Sequence, residues 1–196
     1  MATIALDIDG CFAAFTSAFN ALLRSHGSPI ADTEWPTWNH GRDVSTPTQW
    51  SAAWAAIESS DTWWATLPRH RDVTERVISL LDMLDQKHAL VWVTSRSHGR
   101  NAHAQTCDWI ETYLKLWRPQ VILTPRSKPH ALYAIGADVV VEDCLDNLNG
   151  ARILNREAML VLVDRPYNRE GHMQPNIERV GTTEKALEMV AREVGV

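Results

Sequence analysis

Apolar residues fall along this chain in two rhythms. Continuous short runs occur at TIALD (3–7), HALVWVT (88–94), QVIL (120–123), DVVVE (138–142) and MLVLV (159–163). Their length and β-branched content predict five buried strands. Between the runs, apolar positions recur every three or four residues, the period of an amphipathic helix. Phe12, Phe15, Phe19, Leu22 and Leu23 predict a helix over 12–24, broken by His26-Gly27-Ser28-Pro29. Trp50, Trp54 and Ile57 share one face of a helix over 47–58 and read as core. Val73, Val77, Leu80, Leu81 and Leu84 form the stripe of a helix that Asp72 can N-cap. Cys107, Ile110, Leu114 and Trp117 line one side of a helix over 102–117. Ser127-Lys128-Pro129 opens a short helix with Pro129 in its tolerated first turn, and a last helix runs roughly over 183–194.

Strands that alternate with helices imply parallel pairing through crossovers. Runs as apolar as these imply helices on both faces of the sheet. The expected fold is α/β, a Rossmann-like parallel sheet, with functional groups gathered at the carboxyl ends of its strands. Residues 28–70 break the rhythm, being rich in Trp, Pro, Ser and Thr. With the helix before them they read as a small helical cap inserted after the first strand. The expected division is a core of 1–14 and 71–196 and a cap of 15–70.

Composition narrows the function. The formal net charge of −5 opposes a duplex-binding surface built on bulk positive charge, but leaves room for a small phosphate ligand. The N-terminus shows no signal-peptide pattern, and no window of 18 apolar residues occurs, so no membrane association is expected. Cys11, Cys107 and Cys144 are odd in number and lack zinc-site spacing. They read as reduced thiols in a cytoplasmic protein. Six of the nine tryptophans lie between Trp35 and Trp64, inside the expected cap.

The chemistry sits where the fold requires it. Asp7-Ile8-Asp9-Gly10 ends the first strand, Thr94-Ser95 the second and Glu142-Asp143 the fourth, and Lys128 follows the third. Residues two apart in an extended chain point the same way, so Asp7 and Asp9 face one ligand while Ile8 faces the core. Neighbouring acids push their pKa values apart, which suits one as nucleophile or metal ligand and the other as general acid. Each cluster alone is a weak signal. The ordered set, every member at or just beyond a strand end, carries the weight.

That set resembles the haloacid dehalogenase-like (HAD) phosphatase superfamily over nearly the whole chain. The resemblance implies Asp7 as nucleophile and Mg²⁺ ligand, and Asp9 as general acid/base with its carbonyl on the metal. It implies Thr94, Ser95 and Lys128 on the phosphoryl oxygens. Asp143 would complete the metal site, with Glu142 behind it. Mg²⁺ is the implied cofactor, and an aspartyl-phosphate the implied intermediate.

Two further segments resemble the 5'(3')-deoxyribonucleotidase type: the aromatic insert with Trp63-Trp64, and Val163-Asp164-Arg165-Pro166-Tyr167-Asn168-Arg169. They imply a nucleoside monophosphate as the partner, with Phe15, Phe19, Trp63, Trp64 and Arg96 as substrate-binding residues and Trp35 and Trp38 as further aromatic candidates. Arg96 can reach phosphate or base, or pair with a surface acid; Arg126 and Arg169 pose the same choice. His98, His103, His130 and His172 show no metal-ligand spacing. The alternatives are a phosphatase of polynucleotide ends or of another small phosphate ester, and a non-catalytic binding module. A homodimer is left open.

Overall fold

The computed structural model describes residues 1–96, 99–124 and 127–196. His98 and Arg126 lie outside the described residues. Six strands form one parallel sheet: β1 (Thr3–Leu6), β2 (Ala89–Thr94), β3 (Gln120–Leu123), β4 (Val139–Glu142), β5 (Met159–Val163) and β6 (Ile177–Val180). Their order is β3-β2-β1-β4-β5-β6, so β1 lies inside the sheet between β2 and β4. The five sequence-predicted strands are present. The sixth, IERV, is short and half polar because it closes the sheet's edge against β5 alone.

Alternation along the strands separates two cores. Ile4, Leu6, Trp92, Val139, Val141, Val161 and Val163 face one side, with α4 (Glu75–Asp85), α5 (Ala102–Leu114) and α8 (Thr183–Val194). Ala5, Val91, Val93, Val140, Leu160 and Leu162 face the other, with α6 (Lys128–Ala134) and α7 (Leu145–Leu154). Helices on both faces explain why these strands are apolar throughout. Helix α7 escaped the sequence pattern because LDNLNGARIL is rich in poor helix formers.

The segment after β1 differs from its expectation in one instructive way. Helix α1 begins at Phe15, not at residue 12. The amides of Phe12 and Ala13 both donate to the Ile8 carbonyl at 2.8 Å, closing a tight turn. Phe12 is thereby turned into the core, edge-on to Trp92 at 5.0 Å. Two more helices follow, α2 (His40–Val44) and α3 (Pro47–Ser59). Thr46 and Gln49 form a reciprocal capping box that starts α3. The chain then returns beside its point of departure: Ala14 donates to the Pro68 carbonyl at 2.9 Å and His70 to the Phe12 carbonyl at 2.7 Å.

Two helix ends were misplaced by sequence. Thr74, not Asp72, caps α4, its hydroxyl accepting from the Val77 amide at 3.3 Å. Asp72 instead accepts from Arg165 at 2.9 Å, a partner 93 residues away that no local pattern shows. Helix α5 stops at Leu114, where Lys115 turns left-handed, and Trp117 beyond it is exposed rather than on the apolar face.

Candidate active site

The carboxyl ends of β1, β2 and β4 converge as the alternation of strands and helices predicts. Asp7 continues β1, its amide donating to the Val141 carbonyl at 2.9 Å. Lys128, the first residue of α6, reaches across and donates to Asp7 Oδ1 at 2.7 Å and to Glu142 Oε2 at 2.8 Å. All three side chains are buried. The other oxygen of Glu142 accepts the amides of Asp143 and Cys144, at 3.2 and 3.0 Å. Glu142 is thus fully engaged as the holder of Lys128 and of the turn into α7.

The ligand oxygens of Asp7 and Asp143 and the sulfur of Cys11 lie within 4.8 Å of one another, all three residues buried. Gly10 makes this approach possible. Its φ of +82° is one that side chains rarely adopt, and a Cβ there would run into the Asp143 carboxylate and the Tyr167 hydroxyl. Tyr167 donates to Asp143. Asn168 donates to the Asp143 carbonyl at 2.7 Å and to the Val163 carbonyl at 2.8 Å. The Pro166–Asn168 turn therefore braces Asp143 from the neighbouring strand.

Among the described residues, Lys128 is the ammonium that pairs with Asp7 and Glu142, while Asp143 is held by the Tyr167 hydroxyl instead. Burial, followed by repulsion from Glu142, raises the pKa of Asp7 to about 7 in spite of Lys128. Burial and the charges of Asp7 and Glu142 raise Asp143 well above the carboxylate range. Burial works the same way on Glu142, but the Lys128 contact outweighs it and holds this acid low. Burial alone would lower Lys128; the two carboxylates beside it raise it instead. Burial and the nearby acids also push the Cys11 thiol up, so it remains neutral.

Above the cluster opens a cavity of about 350 Å³. Asp7, Asp9, Thr94, Ser95, Lys128 and Asp143 line its floor, and Phe15, Trp35, Trp38, Trp50, Trp54 and Trp64 line its roof. Arg96 and Arg42 also line it. The Thr94 hydroxyl, at the end of β2, is buried with no hydrogen-bond partner among the described residues. Such an orphaned donor is costly unless a ligand oxygen meets it.

Most sequence candidates thus share one cavity, and Phe19, Trp63 and Arg169 do not. Phe19 is fully buried one layer behind, stacked on Phe15 at 5.2 Å and packed on Trp54 at 5.1 Å. Trp63 packs against the hydrophobic core and does not reach the cavity. Conversely, Trp50 and Trp54 are both packing and wall. Arg96 pairs with Asp9, not with a surface acid, at 2.9 and 2.8 Å. Arg169 pairs with Asp164 at the surface, 2.8 Å away, and does not line the cavity. Sequence reasoning did not assign roles to Tyr167 and Asn168, although the Pro-Tyr-Asn segment that carries them was visible.

No protein-family model and no curated protein matches the sequence. Solved structures do match. A HAD-superfamily hydrolase (subfamily IA, variant 1) from Geobacter sulfurreducens superposes with a TM-score of 0.59 at 13% identity, over 97% of this chain and 96% of its own. A HAD phosphatase from Thermococcus onnurineus gives 0.55 at 16% identity, over 100% and 98%. CbbY from Rhodobacter sphaeroides, solved in complex with phosphate, gives 0.53 at 12% identity, over 93% and 95%. The chain has the α/β fold of HAD-like hydrolases, with a parallel six-stranded sheet flanked by helices.

Proposed function

We propose that this protein is a Mg²⁺-dependent phosphatase that hydrolyses phosphate monoesters through an aspartyl-phosphate on Asp7. The reading rests above all on the Asp7 and Asp143 oxygens, buried within 4.8 Å of one another. Two carboxylates and a backbone carbonyl are hard oxygen donors, the kind that Mg²⁺ prefers, and a divalent cation would relieve the pKa elevation of both acids. Asp7, Asp143 and the Asp9 carbonyl would hold it, with the neutral Cys11 thiol as a packing neighbour. The ion would supply neutralisation of the phosphate charge.

The residues then divide the work. An Asp7 oxygen attacks phosphorus as the bond to the leaving oxygen breaks, and Asp9 supplies the leaving oxygen with a proton. Lys128 steers Asp7 and stabilises charge on the transferring phosphoryl group. The Thr94 hydroxyl and Ser95 donate to phosphoryl oxygens. Water then cleaves the intermediate, giving its proton to Asp9.

The substrate is a nucleoside monophosphate, and the activity that of a 5'(3')-deoxyribonucleotidase. Flat aromatic walls above a phosphate floor suit a nucleobase, whose stacking contributes roughly 1–3 kcal/mol. The roof corresponds to a cap of 15–70 on a core of 1–14 and 71–196, in keeping with the adjacent exit and return at Ala14 and Pro68. Among the described residues no helix is long and apolar enough to cross a membrane, and the three free cysteines suit the cytoplasm.

A phosphate-release assay over deoxynucleotides, ribonucleotides and sugar phosphates, with and without Mg²⁺, tests the reading. Mg²⁺-dependent release from deoxynucleoside monophosphates is expected. Release from sugar phosphates alone would remove the nucleotide assignment and leave the reaction. No release from any ester would remove both.

A further inference from the structure

Arg96 is an unusually enclosed cation for an active-site wall. Its side chain is fully buried, while that of Asp9, its partner, is 23% exposed. The guanidinium carbon sits 5.1 Å from the Trp64 ring centre and 5.5 Å from that of Trp109. Those rings are themselves anchored. Trp109 Nε1 donates to the Leu67 carbonyl at 2.7 Å, and the Trp64 amide donates to Gln105 Oε1 at 2.9 Å. From this fixed position Arg96 Nε and Nη2 donate to the two oxygens of Asp9, at 2.9 and 2.8 Å.

A fork that grips both oxygens removes the rotational freedom of a carboxylate, which a single point charge cannot do. Each Asp9 oxygen spends one acceptor site on Arg96 and keeps another. The carboxylate is therefore immobilised on the cavity wall with free lone pairs, as an acceptor of an O–H proton.

We propose that Arg96 is a positioning residue that holds Asp9 as the proton acceptor for hydrolysis of phospho-Asp7. This role rests on the phosphatase reading above. In that step a water oxygen bonds to phosphorus as the bond between phosphorus and the Asp7 oxygen breaks. The electron pair of the broken bond stays on Asp7 as its regenerated carboxylate. The water proton passes to Asp9, and inorganic phosphate leaves. Arg96 touches none of the reacting atoms.

The test uses p-nitrophenyl phosphate, whose leaving group departs without a proton, so that formation of phospho-Asp7 does not need Asp9. In rapid-quench kinetics with Mg²⁺, Arg96→Gln is expected to release about one p-nitrophenolate per active site in a burst. Steady turnover should then run about 10- to 100-fold below wild type, within the usual range for acid–base assistance. Acid quench after ³²P-labelled substrate should trap labelled protein. Arg96→Lys should fall between the two, with a smaller burst. A partly misfolded sample lowers the burst amplitude and the steady rate in the same proportion, so the steady rate per unit of burst amplitude is unchanged and the outcome stays readable. Linear release without labelled protein in both variants, alongside an active wild type, would overturn the role of Arg96 alone. A wild type that releases no p-nitrophenolate would overturn the phosphatase reading itself.

Discussion

On the floor of the cavity Lys128 holds Asp7 and Glu142 through bonds of 2.7 and 2.8 Å. On its roof Phe15, Trp50 and Trp54 pack on one another and on Phe19 behind them through ring contacts of 5.1 to 6.2 Å. The floor is directional and charged, and shifting one group leaves another buried and unpaired. The roof is apolar and stacked, and tolerates displacement because every ring face is alike. Chemistry that must place atoms within tenths of an ångström belongs on the first kind of surface. Recognition of a flat group by area belongs on the second. A seam joins them: Arg165, buried, donates to the Gly10 carbonyl at 2.7 Å, to Asp72 at 2.9 Å and to His70 at 3.3 Å.

The sharpest way to break the contrast is Asp7→Asn, which keeps the shape of the floor and removes the proposed nucleophile. Turnover should fall by about 10⁴-fold or more, with the melting temperature kept or raised, because a buried charge disappears. Activity retained within tenfold would end the floor's catalytic assignment. Lys128→Met should come next. It leaves Asp7 and Glu142 buried without a cation, so denaturant unfolding should show a loss of about 3–5 kcal/mol and turnover a loss of about 10²- to 10³-fold.

The seam responds to acid. Burial, then the charge of Arg165, lowers the pKa of His70 to about 4. The His70 ring nitrogen accepts from Arg165, so its 3.5 Å approach to Asp72 is a contact of a neutral ring. A group whose folded pKa is depressed contributes fully above its unfolded value of about 6.5. The contribution, up to about 3 kcal/mol, is lost as pH falls from there through about 4. Melting temperature should therefore drop over this window, and drop less steeply in His70→Asn. Equal slopes would remove His70 as the cause.

The roof should give the mildest response. Trp38 is 53% exposed at the cavity mouth. Trp38→Ala should raise KM for an aromatic phosphate ester about fivefold, with kcat unchanged and stability within about 1 kcal/mol. A fall in kcat instead would mean that the roof shapes the reacting geometry.

How much of this was readable in advance differs by element. The five apolar runs became strands because burial on both faces leaves a signature in composition alone. The DxDG, Thr-Ser and Glu-Asp clusters fell on their strand ends, and Lys128 at the start of the helix after β3, since a parallel sheet sends its carboxyl ends one way. Trp63 and Trp64, by contrast, are indistinguishable in sequence, yet one lines the cavity and its neighbour does not. Phe12 and Phe15 keep helical spacing although a turn between them sends Phe12 into the sheet's core. Asp72 carries a convincing cap pattern and serves Arg165 instead.

By itself the chain's order of residues determined the alternation of strands and helices, the sheet edge where the acids gather, and the break in pattern that became the roof. Those are consequences of periodicity and burial, which act over a few neighbouring positions. Only the tertiary structure decided that Arg96 grips Asp9, that Tyr167 and Asn168 brace Asp143, and that Phe19 stands behind the wall rather than in it. These pairings join residues far apart in the chain, and their partners are chosen by packing in three dimensions, on which local spacing is silent.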